Sequence, residues 1–151
     1  MTVETALQAL VKDYGMRLPE NVVYRGKKAF LVPEHVQEIT RRIDLEPFSA
    51  GLPLGEMTSK GFKPSFALLD LLQKSKNRII IADDVEWLFT CGRDVFMNKV
   101  LYEGELKKTF LVTNKKGEVL GLGRKQKKGK QVFIKNLYDR GDFLRRENKK
   151  K

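Results

Sequence analysis

The stretch TFLVTNKKGEVLGLGRKQKKGKQVFIKNL, residues 109–137, decides the fold. Three β-like runs, Thr109–Thr113, Glu118–Arg124 and Gln131–Leu137, alternate with two turns. The turns are Asn114-Lys115-Lys116-Gly117 and Lys127-Lys128-Gly129-Lys130, and each holds a glycine where the chain must reverse. Short strands separated by such turns predict a small barrel or a half-open sheet.

Upstream of this stretch, Arg78-Ile79-Ile80-Ile81-Ala82 is short, branched and apolar, as a buried strand is. Asp83 or Asp84 then stands where a helix cap is expected, ahead of Val85, Leu88 and Phe89. Trp87, Leu88 and Phe89 are consecutive and cannot share one helix face. Either that helix is buried over most of its surface or Trp87 meets the other unit. Ser75–Asn77 is short and polar and reads as a boundary.

The residues before it form a different pattern. Leu7, Leu10, Val11 and Tyr14 recur at helical spacing, with Gly15 as the stop. Val22-Val23-Tyr24 and Ala29-Phe30-Leu31-Val32 flank Arg25-Gly26-Lys27-Lys28, a hairpin signal. Pro33 starts a helix over Glu34–Arg42, with Val36 and Ile39 facing in. The Gly- and Pro-rich stretch Pro47–Gly61 reads as mainly loop or short strand. Pro64-Ser65 opens a Leu-rich helix, Phe66–Lys74. The expected class is α+β: an N-terminal α/β unit over residues 1–76, then a small mixed β-barrel over residues 77–151.

Charge divides the chain in the same place. Thirty Lys and Arg stand against 19 Asp and Glu, a formal net charge of +11. Residues 1–76 are net +2 and residues 77–151 net +9, and the last 45 residues alone, 107–151, are net +12. A surface charged only for solubility would be more even, so the expected partner is a polyanion that meets the C-terminal unit. Nucleic acid fits first, an anionic membrane surface less well.

Several classes are excluded. No apolar run approaches the roughly 18 residues of a membrane span, and Glu4 and Lys12 interrupt any secretory leader, so the cytoplasm is the expected compartment. The single cysteine, Cys91, can form no internal disulfide and is expected to pack against the barrel as a small apolar group. One histidine, His35, and one cysteine cannot build a common structural zinc site. No set of residues supplies nucleophile, base and orienter together. Gly121-x-Gly123 lacks the third glycine and the following helix of a dinucleotide loop. The expectation is therefore no enzyme, no cofactor and no metal.

The segment from Trp87 to Phe96, with Leu120-Gly121-Leu122-Gly123-Arg124 and the tail Asn136 to Glu147, resembles a PUA domain. This is the RNA-binding module named after pseudouridine synthase and archaeosine transglycosylase. Gly51 to Met57 and Phe62 to Leu68 resemble the linker and helix that precede PUA in ribosome-biogenesis factors of the Nip-seven type. A similar leader precedes the PUA-like tail of some ribosomal RNA methyltransferases. The likeness spans residues 45–147, and the length and basic tail look archaeal. It implies a non-catalytic assembly factor for the large ribosomal subunit that binds pre-ribosomal RNA and meets other assembly factors through its N-terminal pre-PUA domain. The alternatives are an accessory subunit related to those methyltransferase tails, or a basic adaptor for an acidic protein.

The candidate RNA contacts form two groups. Arg145, Arg146, Lys149 and Lys150 lie just past the last strand, and the resemblance assigns RNA contact to basic residues there. Arginine suits phosphate because its planar fork can hold two oxygens. Arg124, Lys125, Lys127, Lys128 and Lys135 lie on or beside the second turn. With Lys115, Lys116 and Lys130 they are dense for lysines that merely guard strand edges. Phe133, Tyr138 and Phe143 could stack bases but are expected mainly in the core.

Overall fold

In the computed structural model, residues 2–43, 51–142 and 145 are described. Helix α1, Val3–Asp13, begins where the Thr2 hydroxyl accepts the Thr5 N–H at 3.2 Å. Its apolar stripe buries Ala6, Leu7 and Val11, with Tyr14 at its end, and Gly15 leaves the helix at φ +67°. Strands β1, Val22–Arg25, and β2, Lys28–Leu31, form the expected hairpin, and Gly26 takes the left-handed turn position. Helix α2, Glu34–Ile43, follows. The expectation that Ile39 faces inward fails: it is 53% exposed. The Gln37 side chain anchors this helix instead, donating to the Val32 carbonyl at 2.9 Å.

Of the stretch Pro47–Gly61, expected as mainly loop or short strand, the strand alternative holds from residue 52 onward, while residues 47–50 lie outside the described residues. Leu52–Thr58 is a seven-residue strand, β3, paired antiparallel with β2 on one side and with β4, Gly61–Pro64, on the other. The same Gly and Pro that suggested a loop are used inside the sheet. Pro53 sits beside a register shift in the β2–β3 ladder, and at Gly55, with φ +148°, a Cβ would stand 2.6 Å from the Phe62 ring. The sheet order is β1-β2-β3-β4. Helix α3, Phe66–Leu71, is capped by Ser65 and stops short of the expected Lys74. Gln73 no longer follows the helix, and its carbonyl accepts from the Arg78 guanidinium at 3.2 Å. Leu7, Phe30, Leu54, Leu68 and Leu69 form the buried apolar centre of this first unit.

The chain divides into two units, Met1–Leu72 and Gln73–Lys151. The polar stretch Ser75–Asn77, expected as the boundary, lies close to this division. Ser75 and Asn77 are buried and belong to the second unit. The Asn77 side chain receives the Lys107 N–H at 2.8 Å and donates to the Thr109 carbonyl at 2.9 Å. A buried amide satisfied in this way fixes an irregular loop that has no ladder of its own.

The second unit is a curled six-stranded sheet with helix α4 after its first strand. Its elements are β5, Arg78–Ile81; α4, Asp83–Thr90; β6, Val95–Phe96; a 3₁₀ turn, Met97–Lys99; β7, Val100–Glu103; β8, Phe110–Thr113; β9, Val119–Lys128; and β10, Gln131–Asp139. The order is β6-β10-β9-β8-β5-β7, with β5 and β8 parallel and every other pair antiparallel. Ile79, Ile81, Phe89, Val95, Phe110, Val112, Leu120 and Ile134 form its core. The curl is visible in one ion pair. Lys125 on β9 meets Glu103 on β7 although two strands lie between them in the sheet order. Gly123 faces this core, and a Cβ there would stand 2.8 Å from Ile134 and 3.0 Å from Val112. The Gly-x-Gly pattern thus serves close packing in the half-barrel.

Three local expectations are corrected. The N-cap of α4 is Ala82, without a side-chain cap, so Asp83 and Asp84 both lie in the first turn. Ala82 is extended and its N–H is held by the Lys99 carbonyl at 2.9 Å, so the helix begins directly after it. In that first turn the two carboxylates oppose the positive end of the helix dipole. Cys91 is exposed rather than packed against the barrel, because it caps the C-terminal end of α4 and the helix buries Phe89 instead. Trp87 is 72% exposed and Leu88 37%, so α4 is not buried over most of its surface.

Candidate nucleic-acid interface

Cross-strand partners in an antiparallel ladder put their side chains on the same face. Val95 pairs with Ile134, and both are buried, which fixes the inner face of β6 and β10. Their neighbours Phe96 and Phe133, also a pair, therefore lie on the outer face. Phe133 pairs in turn with Gln126, Lys135 with Arg124, and Gln131 with Lys128. Three rows result. Lys128 and Gln131 form the row nearest the hairpin tip. Gln126, Phe133 and Phe96 form the middle row. Arg124 and Lys135 form the third, with Asp94 3.7 Å from the Lys135 ammonium. Successive rows are about 7 Å apart, two residues along a strand.

This arrangement divides the candidates of the second turn. Arg124, Lys128 and Lys135 share the outer face. Lys125, partner of buried Ile134, and Lys127, partner of Val132, project to the other side. Lys125 is engaged by Glu103. Lys115 lies 3.3 Å from Asp83 at the start of α4, while Lys116 and Lys130 are exposed.

Arg145 stands in different surroundings. Its guanidinium donates to both carboxylate oxygens of Asp139, at 3.0 and 2.8 Å, and to the Thr90 carbonyl at 2.8 Å. Asp142 lies 3.9 Å away. The group fits over Gly92 and against Gly141. A Cβ at Gly92 would come within 3.2 Å of it, and one at Gly141 within 2.9 Å. The hydrogen bonds to Asp139 raise the Arg145 pKa still further above the ordinary guanidinium value. Arg145 therefore ties the end of α4 to the end of β10. Arg146, Lys149 and Lys150 lie outside the described residues, as does Phe143. Phe133 and Tyr138 are half-buried.

Sequence reasoning missed Phe96. It sits on a two-residue strand, too short to show a period, and is 59% exposed. Its signal would have been a large apolar residue directly after a core valine, since successive strand residues face opposite ways. Among the described residues no group of three or more His, Cys, Asp or Glu could hold a metal ion.

A six-stranded curled sheet with helix α4 after its first strand defines a PUA-type module, the RNA-binding class that the sequence resembles. The comparisons agree. The profile of the UPF0113 PUA domain matches residues 77–148. A UPF0113 protein of Archaeoglobus fulgidus is 33% identical over 117 residues, which cover 69% of this chain and 66% of that one. A second, from Aeropyrum pernix, is 30% identical over 124 residues, covering 80% of this chain and 70% of the relative. The chain belongs to the UPF0113 family. It spans about two thirds of the length of these archaeal relatives. Among solved structures, a conserved PUA domain protein from Thermoplasma acidophilum superposes with a TM-score of 0.60 at 17% identity, over 97% of this chain and 96% of that one. A hypothetical protein from Pyrococcus horikoshii gives 0.53 at 16% identity, over 91% of both chains. At such identities these two structures speak for the fold alone.

Proposed function

We propose that this chain is a non-catalytic RNA-binding protein that acts on ribosomal RNA as a large-subunit assembly factor of the Nip-seven type, in an archaeal cytoplasm. The observation that carries the reading is the outer face of β9, β10 and β6, which Arg124, Lys128 and Lys135 share in a unit that holds most of the excess positive charge. Cations held at fixed spacing on a rigid hairpin neutralise phosphates and release counterions, the main source of RNA affinity in such surfaces. Arg146, Lys149 and Lys150 add charge beyond β10, and Arg145 anchors the chain just before them. Lys125 and Lys127, on the opposite face, contribute to the general field. The first unit, with little net charge, is left for contacts with other assembly factors.

Crosslinking the protein to RNA in its own cells and sequencing the bound fragments tests this directly. Large-subunit precursor RNA is the expected product, concentrated at a few positions. Fragments spread over total RNA in proportion to abundance would contradict the assembly role. Recovery of protein partners without RNA would contradict RNA binding itself and favour the adaptor alternative.

A further inference from the structure

The middle row of the outer face holds two phenylalanines that the core does not use. Phe96 and Phe133 are direct cross-strand partners, and their side chains stand about 5 Å apart at the Cβ atoms in such a pair. Phe96 leaves 59% of its surface in water. An exposed aromatic on a two-residue edge strand stabilises little by burial, and it leaves an apolar ring on a strongly basic unit. The rows on either side supply cations, Lys128 towards the hairpin tip and Arg124 with Lys135 away from it. Gln126 and Gln131 add amide groups beside the rings.

We propose that Phe96 and Phe133 form a stacking platform for an unpaired base of single-stranded RNA, with Lys128 and the Arg124–Lys135 row holding the phosphates on either side of it. The inference rests on the RNA-binding reading above and gives that surface its substrate class. Bases offer a π-face to an aromatic side chain only when they are out of a duplex, so the platform selects single strands. The cation rows explain why the occupant is a polyanion rather than an apolar partner. The stacked base adds affinity without adding a phosphate contact, so its removal leaves the salt dependence in place.

The test uses the full chain, a short single-stranded RNA and a blunt RNA duplex, with binding read by fluorescence anisotropy. Phe96→Ala is expected to weaken the single strand by about 5- to 30-fold, in the range of one lost aromatic–base stack. Duplex affinity and the salt slope should stay unchanged within error. Leu101→Ala, at another exposed apolar position on β7, should leave both affinities unchanged. Phe96→Leu, which keeps apolar bulk but removes the π-face, should behave like Phe96→Ala and covers the case in which the alanine variant folds poorly. Phe96→Trp in a Trp87→Phe background should bind at least as well as wild type, with its emission quenched by the single strand. Single-strand affinity within about twofold of wild type in both the Ala and Leu variants would overturn the platform while leaving the RNA reading intact. An equal loss on duplex and single strand would make Phe96 a packing residue and overturn it too. Failure of the wild-type chain to bind either RNA would overturn the RNA reading itself.

Discussion

Arg145 holds the buried carboxylate of Asp139 through both of its oxygens, at 3.0 and 2.8 Å, while Asp139 is 2% exposed. Asp139 also accepts the Gly141 N–H at 2.8 Å, so the carboxylate is satisfied from two directions. The pair closes β10 against the end of α4 through the Thr90 carbonyl. An arginine in a basic tail is thereby a structural tie before it is anything else.

Replacing Arg145 with Ala should leave a buried carboxylate short of its partner. Breaking a fully buried pair costs about 3–5 kcal/mol. The Arg145 side chain is itself 38% exposed, so solvent screening and the remaining Gly141 contact lower the expected loss to about 1–3 kcal/mol. Arg145→Lys should recover less than half, because an ammonium cannot span two oxygens. Urea unfolding measures both. A loss for Arg145→Ala below about 0.5 kcal/mol, the size of an ordinary surface change, would contradict the tie.

Asn77→Ala removes the acceptor of the Lys107 N–H and the donor to the Thr109 carbonyl inside the second unit. Each stranded backbone group costs about 1–3 kcal/mol if water cannot reach it. The expected outcome is a destabilisation of about 2 kcal/mol or more, with faster amide exchange at Lys107. Unchanged exchange there would show that the loop before β8 is held by other contacts.

The boundary around Asn77 also shows what the sequence could and could not disclose. The hairpins β1–β2 and β9–β10 were legible because their glycine turns and branched flanks are local signals. The burial of Ile79 and Ile81 followed from one short branched run. Ser75–Asn77 read as a polar boundary, and the burial of Ser75 and Asn77 was not legible, because a side chain that satisfies backbone groups thirty residues away leaves no local pattern. The full length of strand β3 was hidden by Gly55 and Pro53, which read as breakers until the Phe62 ring and the β2 register shift supply their reason. Cys91 was placed inside by its chemistry, and the turn ending α4 placed it outside. At the candidate interface the charges were legible but their facing was not. Lys125 and Arg124 are adjacent in sequence, and only the ladder with β10 sends one towards Glu103 and the other to the outer surface. Phe96 was invisible for the same reason, since its partner Phe133 lies 37 positions away.

Acid titration offers a separate check on the α4 region. The Lys99 ammonium, hydrogen-bonded to Asp84 at 2.5 Å, holds the Asp84 carboxyl below its ordinary value, with a smaller contribution from Lys115. The folded value lies below the unfolded one of about 3.9. The interaction therefore stabilises the fold above that pH and is lost as pH falls through the folded value. Lys99→Met should move the Asp84 midpoint upward, as read by carboxyl-carbon NMR. A midpoint that stays in place would assign the effect to the helix terminus rather than to Lys99.

The central claim is that RNA is held by the outer face of β9, β10 and β6 rather than by net charge as such. The most direct measurement is the salt dependence of single-strand RNA affinity for two triple variants of the full chain that lose equal charge. One is Arg124→Gln, Lys128→Gln and Lys135→Gln on the outer face. The other is Lys12→Gln, Lys27→Gln and Lys60→Gln, exposed positions of the first unit. At about 0.7 in slope per phosphate on a single strand, the first variant should flatten the plot of log K against log salt by about 2 and weaken all RNA sequences alike. The second should leave the slope of the wild-type chain unchanged. Equal flattening by both variants would contradict the placement of the site, and no change from the first would contradict phosphate binding by this face.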